Sequence, residues 1–142
     1  MSYVKILRIN KEIEMPTYAK KGDAAFDLRS SEDFLLKAGQ QKTIKTGIKM
    51  EIAPGHVGLI WDRSGMAHNY GIHALAGVID SGYRGEIGIV LKNLSATDFM
   101  ITKNMRIAQM LIQPFVEAKI EEVNNIEDSE RKEGAWGSTG LS

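Results

Sequence analysis

A chain of 142 residues holds one domain with a real core, and 43% hydrophobic with 25% charged side chains is the make-up of a soluble globular protein. Eighteen basic and eighteen acidic side chains cancel, which argues against a non-specific nucleic-acid binder, since that needs an excess of positive charge. A nucleotide pocket needs only a few placed cations and stays open. The absence of cysteine excludes disulfides and thiolate metal sites and fits a reducing compartment. Met1 to Ile6 begins a mixed-charge strand rather than a signal sequence, and no apolar run approaches the ~20 residues of a membrane span. We therefore expect a soluble, intracellular protein.

Taken in chain order, Lys21-Gly22-Asp23-Ala24-Ala25-Phe26-Asp27-Leu28-Arg29 is a strand-like run interrupted by Asp27. That acid either lies on a strand surface or faces an anion site and holds a hydrated Mg²⁺. After the turn Lys37-Ala38-Gly39-Gln40, Ile48, Met50 and Ile52 alternate with Lys49 and Glu51, the pattern of a half-buried strand. Pro54-Gly55 is the next turn. Ser64 to Tyr70 reads as the one short helix, ended by Gly71. Gly77-Val78-Ile79-Asp80-Ser81-Gly82-Tyr83-Arg84-Gly85-Glu86 is a tight hairpin carrying an acid and a ring, and the strand Ile87 to Leu91 follows. Beyond the Lys103-Asn104 turn, Arg106 to Ile112 is apolar on both faces apart from Arg106 and Gln109, so it is buried on both sides and Gln109 needs a partner. Val116, Ala118 and Ile120 alternate with Glu117, Lys119 and Glu121 as another half-buried strand. From Asn124 the pattern stops, and the polar end runs into Glu133-Gly134-Ala135-Trp136-Gly137-Ser138-Thr139-Gly140. Many short strands at regular spacing predict an all-β barrel or sandwich.

Five blocks have the residues for chemistry. In Asp62-Arg63-Ser64-Gly65 a strand gives way to a helix, whose N–H groups join the Ser64 hydroxyl and the Arg63 fork as an anion site; the plain alternative is a capping Ser beside a surface Arg. Gly137-Ser138-Thr139-Gly140 can wrap N–H groups around phosphates, with Arg131 as a nearby cation and Trp136 as a surface for a base; the alternative is a mobile terminus. Asp27 is the third block. Gln109 is the fourth, bonded either to backbone or to a phosphate oxygen. The glycine-rich hairpin is the fifth: a base can lie against its strand edges, or it is simply a tight hairpin with a core Tyr. His56, His68 and His73 show no metal-ligand spacing and read as structural or exposed.

With Arg-Ser-Gly, Gly-Val-Ile-Asp-x-x-Tyr-Arg-Gly, Arg-Ile-Ala-Gln and Gly-Ser-Thr-Gly in this order, the chain resembles the homotrimeric all-β dUTP diphosphatase (dUTPase) family from about Ala24 to Gly140. The resemblance implies a distorted jelly-roll β-barrel over residues 1–123, with one short helix, and a flexible C-terminal arm over 124–142. It implies a homotrimer whose three active sites are each built from three chains. It also implies hydrolysis of dUTP to dUMP and pyrophosphate, which keeps uracil out of DNA and supplies dUMP for thymidylate synthesis. Carried over position by position, Asp80 orients and deprotonates the attacking water, and Asp27 contacts Mg²⁺ through its waters. Arg63, Ser64, Gly65 and Gln109 hold phosphate. Gly77, Val78, Ile79 and Gly88 line the uracil. Tyr83 lies under the deoxyribose and leaves no room for a 2′-hydroxyl. Arg131, Trp136, Gly137, Ser138 and Thr139 close over the nucleotide. The implied location is cytoplasmic, or nuclear or viral according to source.

The chain departs from the family pattern at two places. Gly134-Ala135-Trp136 stands where the family commonly has Gly-Gly-Phe, so Trp136 offers a larger stacking face while Ala135 narrows φ. Asp62 puts an acid beside a polyanion site, either ion-paired to Arg63 or turned away. One rival is a dCTP deaminase-like enzyme, whose catalytic glutamate would fall at Val90, a residue unable to do that chemistry. A nucleotide-binding regulatory protein is the other rival, and the filled functional positions, Asp80 included, speak against it.

Overall fold

The computed structural model describes residues 2–142. Its elements are β1 (Val4–Arg8), β2 (Ala25–Arg29), β3 (Phe34–Leu36), β4 (Gln41–Ile52), β5 (His56–Trp61), α1 (Ser64–Tyr70), β6 (Ile72–Leu75), β7 (Val78–Asp80), β8 (Glu86–Asn93), β9 (Phe99–Ile101) and β10 (Arg106–Pro114). They form two four-stranded sheets, ordered β1-β4-β8-β6 and β2-β10-β5-β7, and a small β3-β9 pair. Each of these pairings is antiparallel. This is the expected all-β jelly roll with one short helix.

Period-two patterning builds the core. In β8, Ile87, Ile89, Leu91 and Asn93 are buried while Glu86, Gly88, Val90 and Lys92 are only partly covered. The inward residues of the two sheets meet in one cluster that includes Phe26, Leu28, Ile44, Ile48, Ile89, Leu91, Ile107 and Met110. The long strand β4 serves two partners, pairing with β8 through its first half and with β1 through its second. The β4–β8 ladder shifts register between Lys45 and Lys49. Gly47 sits in that break at φ 70°, where its carbonyl accepts the N–H groups of Ile9 and Asn10. A bulge of this kind bends a strand, and here it carries β4 around the core. The buried polar side chains are satisfied: Thr46 Oγ1 donates to the Ile87 carbonyl at 2.6 Å, and Asn93 Nδ2 donates to the carbonyls of Leu36 and Thr97.

One expected strand is absent. Residues 115–123 have no ladder partner, and Val116 and Ile120 are 91% and 96% exposed. The alternation is real, but a strand needs a partner as well as a pattern, and after Pro114, where the last paired strand ends, the chain runs along none of the sheet edges.

Candidate active site

The Arg63-Ser64-Gly65 turn is made where β5 hands over to α1. Arg63 occupies the cap position at φ −82°, ψ 127°, and no side chain caps the helix. Ser64 is thus the first helical residue rather than the cap, and the N–H groups of the opening turn keep no side-chain acceptor. Gly71 ends the helix as expected, in the left-handed region at φ 67° with its N–H bonded back to Ala67.

Sheet register brings the next residues to this turn. On β10, Gln109 stands opposite Asp27 of β2 on one side and Trp61 of β5 on the other. Arg63 therefore reaches Asp27, Nε to Oδ1 at 3.1 Å, and its Nη1 donates to the Arg106 carbonyl at 3.3 Å. Arg106 approaches the other oxygen of Asp27 at 3.5 Å. Gln109 Nε2 donates to the main-chain carbonyl of Asp62 at 2.7 Å, so in this state its amide serves the backbone. Asp62 does not pair with Arg63. Its carboxylate turns to β6, accepting from the Ala74 N–H at 2.6 Å and meeting His73 Nδ1 at 2.7 Å. Asp23, Asp27, Asp62, Arg63, Ser64, Gly65 and Gln109 line a cavity of about 560 Å³. A smaller cavity of about 220 Å³, between Tyr3, Tyr18, Phe26 and Ile112, is lined by no charged side chain.

The expected hairpin is instead a turn between the two sheets: β7 lies in one and β8 in the other, and the two strands do not pair, because β7 takes the edge beside β5 while β8 is already flanked by β4 and β6. β7 pairs with β5, placing Asp80 opposite Val57, Ile79 opposite Gly58 and Val78 opposite Leu59. Tyr83 N–H closes the turn onto the Asp80 carbonyl at 3.1 Å, and Tyr83 Oη donates to the Glu86 carbonyl at 3.0 Å. Arg84 Nη1 braces the loop through the carbonyls of Ser81 and Tyr83. Among the described residues the exposed Asp80 carboxylate has no hydrogen-bond or ion-pair partner, and it is free to act on a ligand. Gly77, at φ 111°, leaves no room for a side chain: a Cβ would come 2.8 Å from Cβ of Ile60, whose N–H donates to the Gly77 carbonyl. Gly88 lies in β8 opposite Lys45, where a Cβ would come 2.9 Å from Cγ2 of Thr43.

The arm residues stand apart from both groups. Trp136 is fully exposed, and Arg131 Nε donates to the Gly134 carbonyl at 2.7 Å. Ser138 N–H bonds the Ala135 carbonyl across Trp136 and Gly137, at φ 51° and φ 88°. Positive φ at both central residues is the signature of a type I′ turn. The unusual backbone is thus borne by Trp136 rather than by Ala135.

The structure brings Asp27, Arg63, Ser64, Gly65 and Gln109 into one cavity, and it carries Gly77 to Asp80 on and just before β7, Tyr83 on the turn that follows, and Gly88 in β8 of the other sheet. It does not join the two groups. Sequence reading missed Arg106 as the second partner of Asp27, and it missed the Asp62–His73 contact. The first could have been suspected from Arg106 being the one charged residue in a two-sided apolar strand; nothing local announces the second.

An all-β barrel with arginine, hydroxyl and helix N–H groups around one cavity and an unpartnered carboxylate on a braced turn has the make-up of a nucleoside triphosphate hydrolase, and the comparisons assign that class. The dUTPase family model matches residues 11–140. The deoxyuridine 5′-triphosphate nucleotidohydrolase of Clostridium kluyveri is 47% identical over 137 residues, 95% of this chain and 96% of that protein. That of Nautilia profundicola is 47% identical over 139 residues, 96% of this chain and 98% of that protein. Among solved structures, Staphylococcus bacteriophage 80alpha dUTPase with dUPNHPP superposes with a TM-score of 0.91 at 29% identity, covering 98% of this chain and 99% of that one. The dUTPase of phage phi11 of S. aureus shares the fold, with a TM-score of 0.83 at 24% identity over 89% of this chain and 99% of that one, and coordinates a structural Mg(II) ion. This chain belongs to the dUTPase family, the dUTP diphosphatases. The match leaves the deaminase reading without support. No described helix is long and apolar enough to cross a membrane.

Proposed function

We propose that the reaction, dUTP + H₂O → dUMP + pyrophosphate, runs in sites shared between the copies of a homotrimer. The observation that carries this reading is the separation of Asp80, on β7 beside the start of β5, from Arg63, which follows the end of β5. Asp80 is level with Val57, and Arg63 lies beyond the far end of the strand, about 20 Å away at a rise of roughly 3.3 Å per residue. A base that delivers water to a phosphorus and a cation that grips the same phosphate chain must lie within a few ångströms of that chain. One copy therefore supplies β7 and its turn to a site whose phosphate cavity belongs to another. The 124–142 arm, free of the 1–123 barrel, is long enough to serve a third. The unpaired alternation of Val116, Ala118 and Ile120 suits pairing along an edge of a neighbouring copy.

In the assembled site the Asp80 carboxylate orients a water in line with the α-phosphorus and takes its proton as the new P–O bond forms. The bond from the α-phosphorus to the bridging oxygen breaks, and its electrons leave with pyrophosphate. Arg63, the Ser64 hydroxyl and the opening N–H groups of α1 hold charge on the phosphate chain, and Gln109 is within the same cavity. Positioning and electrostatics of this kind supply most of the acceleration in phosphoryl transfer. Tyr83 packs under the deoxyribose, and the Gly77–Ile79 edge with Gly88 receives uracil. Closure of the arm brings Arg131, Gly137, Ser138 and Thr139 onto the phosphates and Trp136 onto the base, excluding bulk water.

The residues present fit Mg²⁺ held mainly by substrate. Among the described residues no cluster of three His, Cys, Asp or Glu could cage a metal, whereas Asp27 keeps lone pairs free on both oxygens beside its two arginines. Magnesium commonly binds through one carboxylate, water and phosphate oxygens. When bound it offsets charge on the departing pyrophosphate. We place the protein in the cytoplasm, with the deoxynucleotide pool.

Pyrophosphate release from dUTP, dTTP, dCTP and UTP, with and without Mg²⁺, tests the reading. A thymine methyl meets backbone at the Gly77–Ile79 edge, and cytosine leaves main-chain groups unpaired, so dUTP should be strongly preferred and magnesium required for full rate. Comparable rates on all four nucleotides would reject the assignment of that edge to uracil.

A further inference from the structure

Asp62 is the acid that sits where the phosphate turn begins, and none of its three hydrogen bonds is to the cavity's cation, Arg63. β6 is the edge strand of its sheet, so the outward N–H of Ala74 has no strand partner. Asp62 Oδ1 accepts that N–H at 2.6 Å, and Oδ2 meets His73 Nδ1 at 2.7 Å. From the opposite direction, Gln109 of β10 donates to the Asp62 main-chain oxygen at 2.7 Å. The residue is clamped by its side chain to one sheet and by its backbone to the other. The next residue, Arg63, leaves this clamp in an extended conformation as the helix cap, and its guanidinium runs back over Asp27.

We propose that Asp62 is the positioning residue of the phosphate turn: by pinning the β5–α1 link to the free edge of β6, it fixes the direction in which Arg63 meets the triphosphate. The proposal rests on the reading of Arg63 as a phosphate ligand. A charge-assisted bond to a backbone N–H is directional and stronger than a neutral one. Without it, the backbone of Asp62 is held by Gln109 alone, and the Arg63 guanidinium keeps only its own contacts with Asp27 and the Arg106 carbonyl. An acid beside a polyanion site is unfavourable unless its charge is engaged, and the Ala74 N–H and His73 ring engage it. His73 thus has a task in this chain, as the second contact of that anchor.

A mutant cycle on dUTP hydrolysis tests this. Wild type, Asp62→Ala, Asp62→Asn, Arg63→Ala and the Asp62→Ala/Arg63→Ala double variant are compared for kcat, KM, inhibition by inorganic pyrophosphate, and Tm. Asp62→Ala should raise both KM and the pyrophosphate inhibition constant about tenfold, the scale of a misplaced binding group. Asp62→Asn keeps an oxygen for Ala74 and should return both to within about threefold of wild type. Once Arg63 is alanine, removing Asp62 should change neither constant further, because the two act as a unit. If Asp62→Ala does not fold, Asp62→Ser takes its place in the cycle with the same expectation. Wild-type constants in Asp62→Ala, an equal loss in both Arg63 backgrounds, or an Asn variant as impaired as the Ala variant would each overturn the proposal. Wild-type KM in Arg63→Ala would instead overturn the phosphate role of Arg63, and the proposal with it.

Discussion

Asp80 and Arg63 lie at opposite ends of β5: the acid pairs with Val57 near its start, and the arginine follows its last residue, Trp61. If the site joins them across copies, two inactive variants should repair each other. Asp80→Asn chains keep the cavity, and Arg63→Ala chains keep β7 and its turn. Unfolded, mixed in equal amounts and refolded together, they should regain roughly one quarter of the wild-type rate, the product of two one-half chances in a symmetric assembly. Steady-state pyrophosphate release measures this. Activity that stays at the level of the separate variants would place both residues in the same copy's site.

The Asp80 carboxylate has no protein partner among the described residues, so exchanging it disturbs no interaction of the fold. Asp80→Asn should keep its Tm and its affinity for a non-hydrolysable dUTP analogue. Its kcat should drop by about a hundredfold or more, the range general-base help supplies. Calorimetric binding with single-turnover kinetics separates the two effects. A variant that turns over within a few-fold of wild type would assign the base elsewhere.

The arm contributes little to the barrel. Trp136 is 103% exposed and Ile126 83%, and the arm's backbone bonds from Ser129 onward are short local turns. A chain ending at Val123 should therefore melt within a few degrees of the full protein, since no core contact is lost. It should lose most of its turnover of dUTP. Differential scanning calorimetry and the rate assay together check this, and undiminished turnover would remove the arm from the site.

These expectations draw unequally on sequence and structure, for physical reasons. Gly71, the tight turn after Asp80 and the half-buried amide of Gln109 are local signals: a left-handed stop, a turn, and a polar group in an apolar run that must find a partner. The structure supplies each in place. The Arg63–Asp27–Arg106 contact is not local, because it exists only once β2, β10 and β5 are in register. The Asp62–His73 contact is less local still, joining the end of one sheet to the edge of the other, and both alternatives for Asp62 were open until β6 was placed. Val116 to Ile120 shows the converse. Its alternation is a sound strand pattern that joins none of the edges of its own chain.

Gly85 decides where Tyr83 sits. A Cβ there would lie 2.3 Å from the Tyr83 hydroxyl oxygen and 2.6 Å from Cζ, distances no real pair of atoms keeps. The ring folds over the glycine, and its hydroxyl donates to the Glu86 carbonyl at 3.0 Å. Gly85→Ala must push the ring off this seat or break that bond. If the ring is what excludes a 2′-hydroxyl, the variant's preference for dUTP over UTP in kcat/KM should drop about tenfold or more, the scale of losing one steric contact in a fitted pocket. Gly82→Ala is the control: a Cβ there meets nothing within 4 Å, so the preference should hold. Equal dUTP preference in Gly85→Ala and wild type would show that Tyr83, in this seat, does not read the sugar.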